Sequence, residues 1–133
     1  IRISALYEGT TGIQSQDLLG RKVPMQNGKG LELLSAEIVK TIISATIDDD
    51  LKVYGTILGD KLKQSQKVLG HLMPFAMKGN YERYLADANL FMEYMSIIVL
   101  GWLWLEMAVD AKKQISLMNN EVLTIKNDKE LIL

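Results

Sequence analysis

The spacing of apolar residues constrains this chain more than any other feature. After the first dozen positions they recur three and four apart almost throughout, and strict apolar–polar alternation never persists. An all-α fold follows. The spacing predicts a short helix around Ile13, Gln14, Asp17 and Leu18, opened by Thr10-Thr11-Gly12 and closed near Gly20-Arg21-Lys22, where cations suit the negative end of a helix dipole. Pro24 and Asn27-Gly28-Lys29-Gly30 then read as a loop.

Three longer helices are expected beyond that loop. The first runs from about Leu31 to Ile47, with Leu31, Leu34, Ile38, Ile42 and Ala45 on one face. Asp48-Asp49-Asp50 disfavours a helix end and favours a helix start, so the boundary falls inside the triplet. The second carries Tyr54, Ile57, Leu58, Leu62, Ser65, Leu69 and Leu72, with Lys52, Lys61, Lys63 and Lys67 on the wet side, and Pro74 is expected to kink or end it. Gly79-Asn80 turns into the third, Tyr81 to Ser116, with Tyr84, Leu85, Ala88, Met92, Met95, Val99, Trp102 and Val109 inward. Asn119-Asn120 is expected to cap a short last segment that Asn127-Asp128 interrupts. Three long amphipathic helices with short connections pack as an up-down helical bundle, with short terminal helices added.

Composition narrows the function classes. Fifteen basic residues against sixteen acidic ones leave a net charge of −1, without the clustered basic surplus that nucleic acid requires. Without cysteine there is no disulfide, thiolate nucleophile or Cys-based zinc site, and one histidine, His71, makes no metal cluster. A cytoplasmic location fits. The apolar run Ile97–Leu105, flanked by Glu93 and Glu106, falls short of the roughly 20 apolar residues of a membrane span and reads as a core helix. The chain opens on Ile1 and closes on Leu131-Ile132-Leu133 with no turn signal, so both ends read as cuts in a longer polypeptide.

The sharpest signal lies near the start. Ala5-Leu6-Tyr7-Glu8-Gly9-Thr10-Thr11-Gly12-Ile13-Gln14, followed by Asp17-Leu18-Leu19-Gly20-Arg21-Lys22, resembles the last conserved segment of the flavin-dependent acyl-CoA dehydrogenases. The rest resembles, less specifically, the extra C-terminal helical domain of a larger-subunit subgroup, with Gly101-Trp102-Leu103-Trp104 and Met107-Ala108 as markers. The resemblance implies three parts: residues 1–23 ending the catalytic domain, 24–30 a linker, and 31–133 a C-terminal bundle.

It also implies roles. Glu8 matches the catalytic base that removes the α-proton of an acyl thioester while a hydride leaves the β-carbon for FAD. The Glu8 backbone N–H would polarise the thioester carbonyl, and Gly9 would let the substrate approach. Thr10, Thr11, Gly12 and Gln14 match positions at or near FAD. Some members place their base on an earlier helix; this chain has Glu8, which supports the simpler assignment. The implied partners are an acyl-CoA and an electron acceptor, in a homo-oligomeric parent. Because most of the flavin site belongs to other domains, the chain alone is expected neither to hold FAD nor to catalyse.

Plainer readings stand beside these. Glu8 is also compatible with an exposed carboxylate in a pre-helix turn, and Thr10 and Thr11 with helix caps. His71 reads as structural. Trp102 and Trp104, about 200° apart on a helix, place one ring in the core and one on a surface. Met92 and Met95 read as core filler, and Arg21-Lys22 as a charge pair at a helix end. Two other functions remain in view: a helical module for oligomerisation or docking without catalysis, and a third helix lying at a membrane interface.

Overall fold

The computed structural model describes the backbone of residues 10–130 and the side chains of 10–120. Every element there is helical. In chain order they are α1 (Thr11–Asp17), continued by a widened π turn (Leu18–Lys22), a tight turn at Met25–Gly28, α2 (Lys29–Ala45), α3 (Lys52–Met77), α4 (Tyr81–Leu85) and α5 (Ala88–Glu130). The all-α bundle expected from the spacing is the fold observed.

α2, α3 and α5 pack against one another as up-down neighbours, and α1 lies against α5. The anticipated face of α2 is the inner one: Ile38 and Ala45 are fully buried, with Leu31, Leu34 and Ile42 packed alongside. From α3 come Leu58, Leu62 and Leu69, and from α5 Phe91, Met95, Ile98, Leu105 and Val109. Trp102 turns inward and donates from Nε1 to Thr41 Oγ1 at 2.8 Å, which satisfies two partly buried polar groups at once. Trp104 points outward and is 75% exposed, so the two rings divide as their angular separation requires.

The connections depart from expectation in four places. Gln26, Asn27 and Gly28 take successive left-handed conformations (φ 51°, 57° and 81°), so the expected loop is a sharp reversal that feeds directly into α2. Pro74 does not end α3, which continues to Met77. Proline forfeits the hydrogen bond to the Gly70 carbonyl, but the helix carries on for three more residues. The stop comes one turn later, where Gly79 (φ 75°) closes a Schellman motif: Asn80 N–H to the Phe75 carbonyl at 2.9 Å and Gly79 N–H to that of Ala76 at 3.0 Å. Asn80 Oδ1 then caps α4 by accepting from Arg83 N–H at 3.2 Å.

The expected third long helix is interrupted at Ala86–Asp87, which separates α4 from α5. α5 then runs unbroken past Ser116, Asn119 and Asn120 to Glu130, about 65 Å at 1.5 Å per residue. Asparagine inside a helix costs under about 1 kcal/mol, too little to stop a helix this long. From Lys113 to Asn120 every side chain is exposed, so this part of α5 extends beyond the hairpin of α2 and α3.

At that end of the bundle Lys112 reaches the α2–α3 connection, 3.3 Å from Asp48 Oδ2 and 2.5 Å from Asp50 Oδ2. The Lys112 hydrogen bond, and after it the lysine's charge, hold the Asp50 carboxyl below its ordinary value. A carboxyl lowered in the folded state contributes its full stabilisation above the unfolded pKa and loses it as the pH falls through the folded value. Lys112→Met is therefore expected to flatten the fall of Tm on acidification below about pH 4. A Tm–pH profile that superimposes on that of the unaltered chain would contradict this coupling.

Candidate functional site

Thr11 and Gly12 begin α1, and Thr10 stands at its N-cap (φ −100°, ψ −7°). Its hydroxyl makes no cap bond to the helix N–H groups; instead Thr10 Oγ1 accepts from the Gln14 amide at 3.4 Å, and the Thr10 carbonyl accepts Gln14 N–H at 2.9 Å. Gly12 and Gln14 are exposed, Thr10 and Thr11 half-buried, and a Cβ added at Gly12 would meet nothing within 4 Å. Four of the six anticipated site residues thus share one open helical turn. Glu8 and Gly9 lie outside the described residues.

The other side of α1 is tied down. Ser15 is buried, with Oγ 2.9 Å from the Gly12 carbonyl and in contact with the Asn89 side-chain amide at the start of α5. One hydroxyl proton serves only one acceptor, so Ser15 donates to one partner; with the Asn89 amide turned, its NH2 group supplies the second bond. Either arrangement ties α5 to α1 at Ser15, and the turned amide extends the tie to the Gly12 carbonyl in the first turn.

The π turn creates a second tie. Val23 N–H donates to the Leu18 carbonyl at 2.9 Å, five residues back. The Leu19 carbonyl would look in the same register to position 24, which is Pro24 and has no N–H. Leu19 is fully buried, so its acceptor needs a donor from elsewhere. The Tyr84 hydroxyl supplies it at 2.7 Å, and burial raises the Tyr84 pKa, which keeps the donor protonated. Tyr84→Phe leaves that carbonyl unpaired and is expected to cost about 1–3 kcal/mol, read by denaturant unfolding. An unchanged midpoint would mean that Val23 or a solvent molecule takes over.

Charges and apolar surface complete the neighbourhood. Asp17 accepts from Arg21 Nε and, at 2.9 Å, from Arg21 Nη2, with Lys22 at 3.6 Å; the arginine hydrogen bond is the main cause of a lowered Asp17 pKa. The anticipated charge pair at the helix end is thus a clamp of two cations on one carboxylate. Beside it lies an apolar cleft of about 690 Å³, lined in part by Leu18, Val23, Leu34, Phe91 and Met95, with Arg21 and Lys22 also at its wall. Met95 is core, as expected, whereas Met92 is half-buried and borders the cleft.

No group able to hold a metal occurs among the described residues. His71 is exposed and stands edge-on to Phe75 (centroids 5.8 Å apart, 77° between planes), and Arg83 covers the same ring at 4.7 Å. His71 packs against that ring. The Ser15–Asn89 and Tyr84–Leu19 links escape sequence reasoning because their partners are 74 and 65 positions apart. The placement of Pro24 five residues after Leu19 is a signal only once the π register is known.

A family model described as acetyl-CoA dehydrogenase C-terminal like matches residues 34–130. A broad-specificity linear acyl-CoA dehydrogenase of Mycobacterium tuberculosis is 30% identical over 108 residues, a match covering 77% of this chain and 18% of that protein. The chain thus spans less than a fifth of the length of this curated relative. No solved structure matches.

Proposed function

The chain belongs to the acetyl-CoA dehydrogenase C-terminal-like family, and on that premise we propose that it is the closing part of a flavin-dependent acyl-CoA dehydrogenase. The observation that supports this most is the order along the chain: Tyr7-Glu8-Gly9-Thr10…Gln14 precedes the region, 34–130, that matches the family. In this reading residues 1–23 complete the catalytic domain, 24–30 link, and 31–133 form the accessory bundle, in a cytoplasmic, homo-oligomeric enzyme.

Glu8 is the base. Its carboxylate takes the α-proton of an acyl-CoA thioester, the β-hydrogen departs with its electron pair, and an α,β-unsaturated thioester remains. A carboxylate in a dry pocket is the group for this task, since desolvation raises its basicity toward that of a weakly acidic C–H. The Glu8 N–H steadies the thioester oxygen as negative charge develops there, and Gly9 leaves room for the substrate. FAD supplies the hydride acceptor when bound. The open first turn of α1 suits a polar cofactor edge: the Thr10 and Thr11 hydroxyls, the Gln14 amide and the uncovered Gly12 all lie on it. Four residues on one turn do not enclose a dinucleotide, so the remaining contacts belong to the longer protein, and this chain alone neither retains FAD nor turns over. The test is turnover with an artificial electron acceptor: the full-length protein should convert an acyl-CoA to the enoyl-CoA and the isolated chain should not. Absence of turnover in the full-length protein with every chain length would remove the enzyme reading.

A second reading, a helical module for oligomerisation or docking, is favoured by one surface. Ile97, Leu100, Trp104 and Met107 are exposed on the outer side of α5, and Ile115, Leu117 and Met118 follow beyond the hairpin. Such a surface suits burial against the rest of the parent or a second subunit, so this role and catalysis are compatible. The helical stretch Tyr81–Asn120 is also long and apolar enough to cross a membrane by length and composition. We read it as a bundle helix, because one stripe of it is core and Glu93, Glu106 and Asp110 interrupt the apolar surface.

A further inference from the structure

We propose that Asn89 is a positioning residue for catalysis: through Ser15 it fixes the turn that carries Thr10, Thr11, Gly12 and Gln14. The inference rests on reading that turn as part of the active site. α1 has seven residues, too few to hold its own shape or direction in water, so its placement comes from what it packs against. Buried Ser15 contacts both the Asn89 amide and the Gly12 carbonyl. With the Asn89 amide turned so that its NH2 group donates to Ser15 Oγ, a continuous polar path runs from the first turn of α5 into the backbone of the candidate site. Tyr84, through the Leu19 carbonyl, anchors the far end of the same segment.

The two anchors stand on either side of the interruption at Ala86–Asp87, and both address the segment running from Ser15 to Leu19. Tyr84 closes a buried acceptor and so acts mainly on stability. Asn89 is exposed apart from this contact, so its loss leaves the core intact while releasing the first turn of α1. The bundle thereby sets the geometry of a site to which it contributes no catalytic group.

The experiment compares Ser15→Ala, Asn89→Ala and the double variant in the full-length, FAD-loaded enzyme, reading kcat, KM, flavin content and Tm. The expected result is a fall in kcat of about tenfold or more in each single variant, since small misplacements of reacting groups cost up to about 10²-fold. KM and flavin content should stay near their original values, and the double variant should be no slower than the slower single one. Unchanged kcat in Asn89→Ala, or losses that multiply in the double variant, would overturn the proposal and leave the dehydrogenase reading standing. A kcat loss that merely follows lost flavin or lowered Tm would show a structural role and overturn it as well. If the unaltered full-length enzyme oxidises no acyl-CoA, the functional reading fails first and the proposal with it.

Discussion

Replacing Glu8 by Gln in the full-length enzyme is expected to lower the rate of acyl-CoA oxidation by about 10²–10⁴-fold while flavin and substrate remain bound. Glutamine matches glutamate in size and keeps the backbone N–H that would hold the thioester oxygen, so only proton acceptance is lost. The fall should therefore appear in kcat, with FAD content unchanged. The substitution alters neither side-chain volume nor backbone. A variant with full activity would move the base to another part of the protein and leave Glu8 without that role.

The largest effect on stability is expected at Ile38. It is fully buried on the inner face of α2, where that helix meets α3 and α5, and truncation to Ala opens a void that three packed helices cannot readily close. Ile38→Ala should cost about 2–5 kcal/mol, a large part of the 5–15 kcal/mol typical of a domain. Ile47, two residues past the end of α2 and 86% exposed, is the control: Ile47→Ala should change stability by no more than about 0.5 kcal/mol. Denaturant unfolding of both variants checks the difference. Similar midpoints would place the core elsewhere than between α2, α3 and α5.

The helices were legible where a periodic stripe carried them. The α2 face from Leu31 to Ala45 reads directly from the sequence because each of its members is packed in the structure. The α3 stripe reads less well: Tyr54 and Ile57, expected inward, are 60% and 51% exposed. Buried Gly55 takes the inner position instead, where a Cβ would lie 3.3 Å from Ala45 Cβ and 3.4 Å from the Ile42 carbonyl. Periodicity counts large apolar side chains, so it misses a crossing made close by small ones. The end of α3 reads from Gly79-Asn80 and not from Pro74, and the length of α5 could not be read from local signals, since the asparagines are tolerated in a helix this long. The break at Ala86–Asp87 carries no glycine or proline to announce it.

The candidate site divides in the same way. Thr10, Thr11, Gly12 and Gln14 were legible as one turn because they are neighbours in sequence, and the structure brings them together. What holds that turn was not legible, because Ser15 meets Asn89 and Leu19 meets Tyr84 only through tertiary packing. The roles of Glu8 and Gly9 rest on the resemblance of the string around them and on the family to which the chain belongs.

The visible spectrum of the purified full-length protein, recorded anaerobically before and after addition of acyl-CoA thioesters of increasing chain length, tests the central claim most directly. The account predicts flavin absorbance that bleaches with at least one of them, as the α-proton and β-hydride leave the substrate together. A colourless protein that cannot be reconstituted with FAD, or a bound flavin that no thioester bleaches, would contradict it.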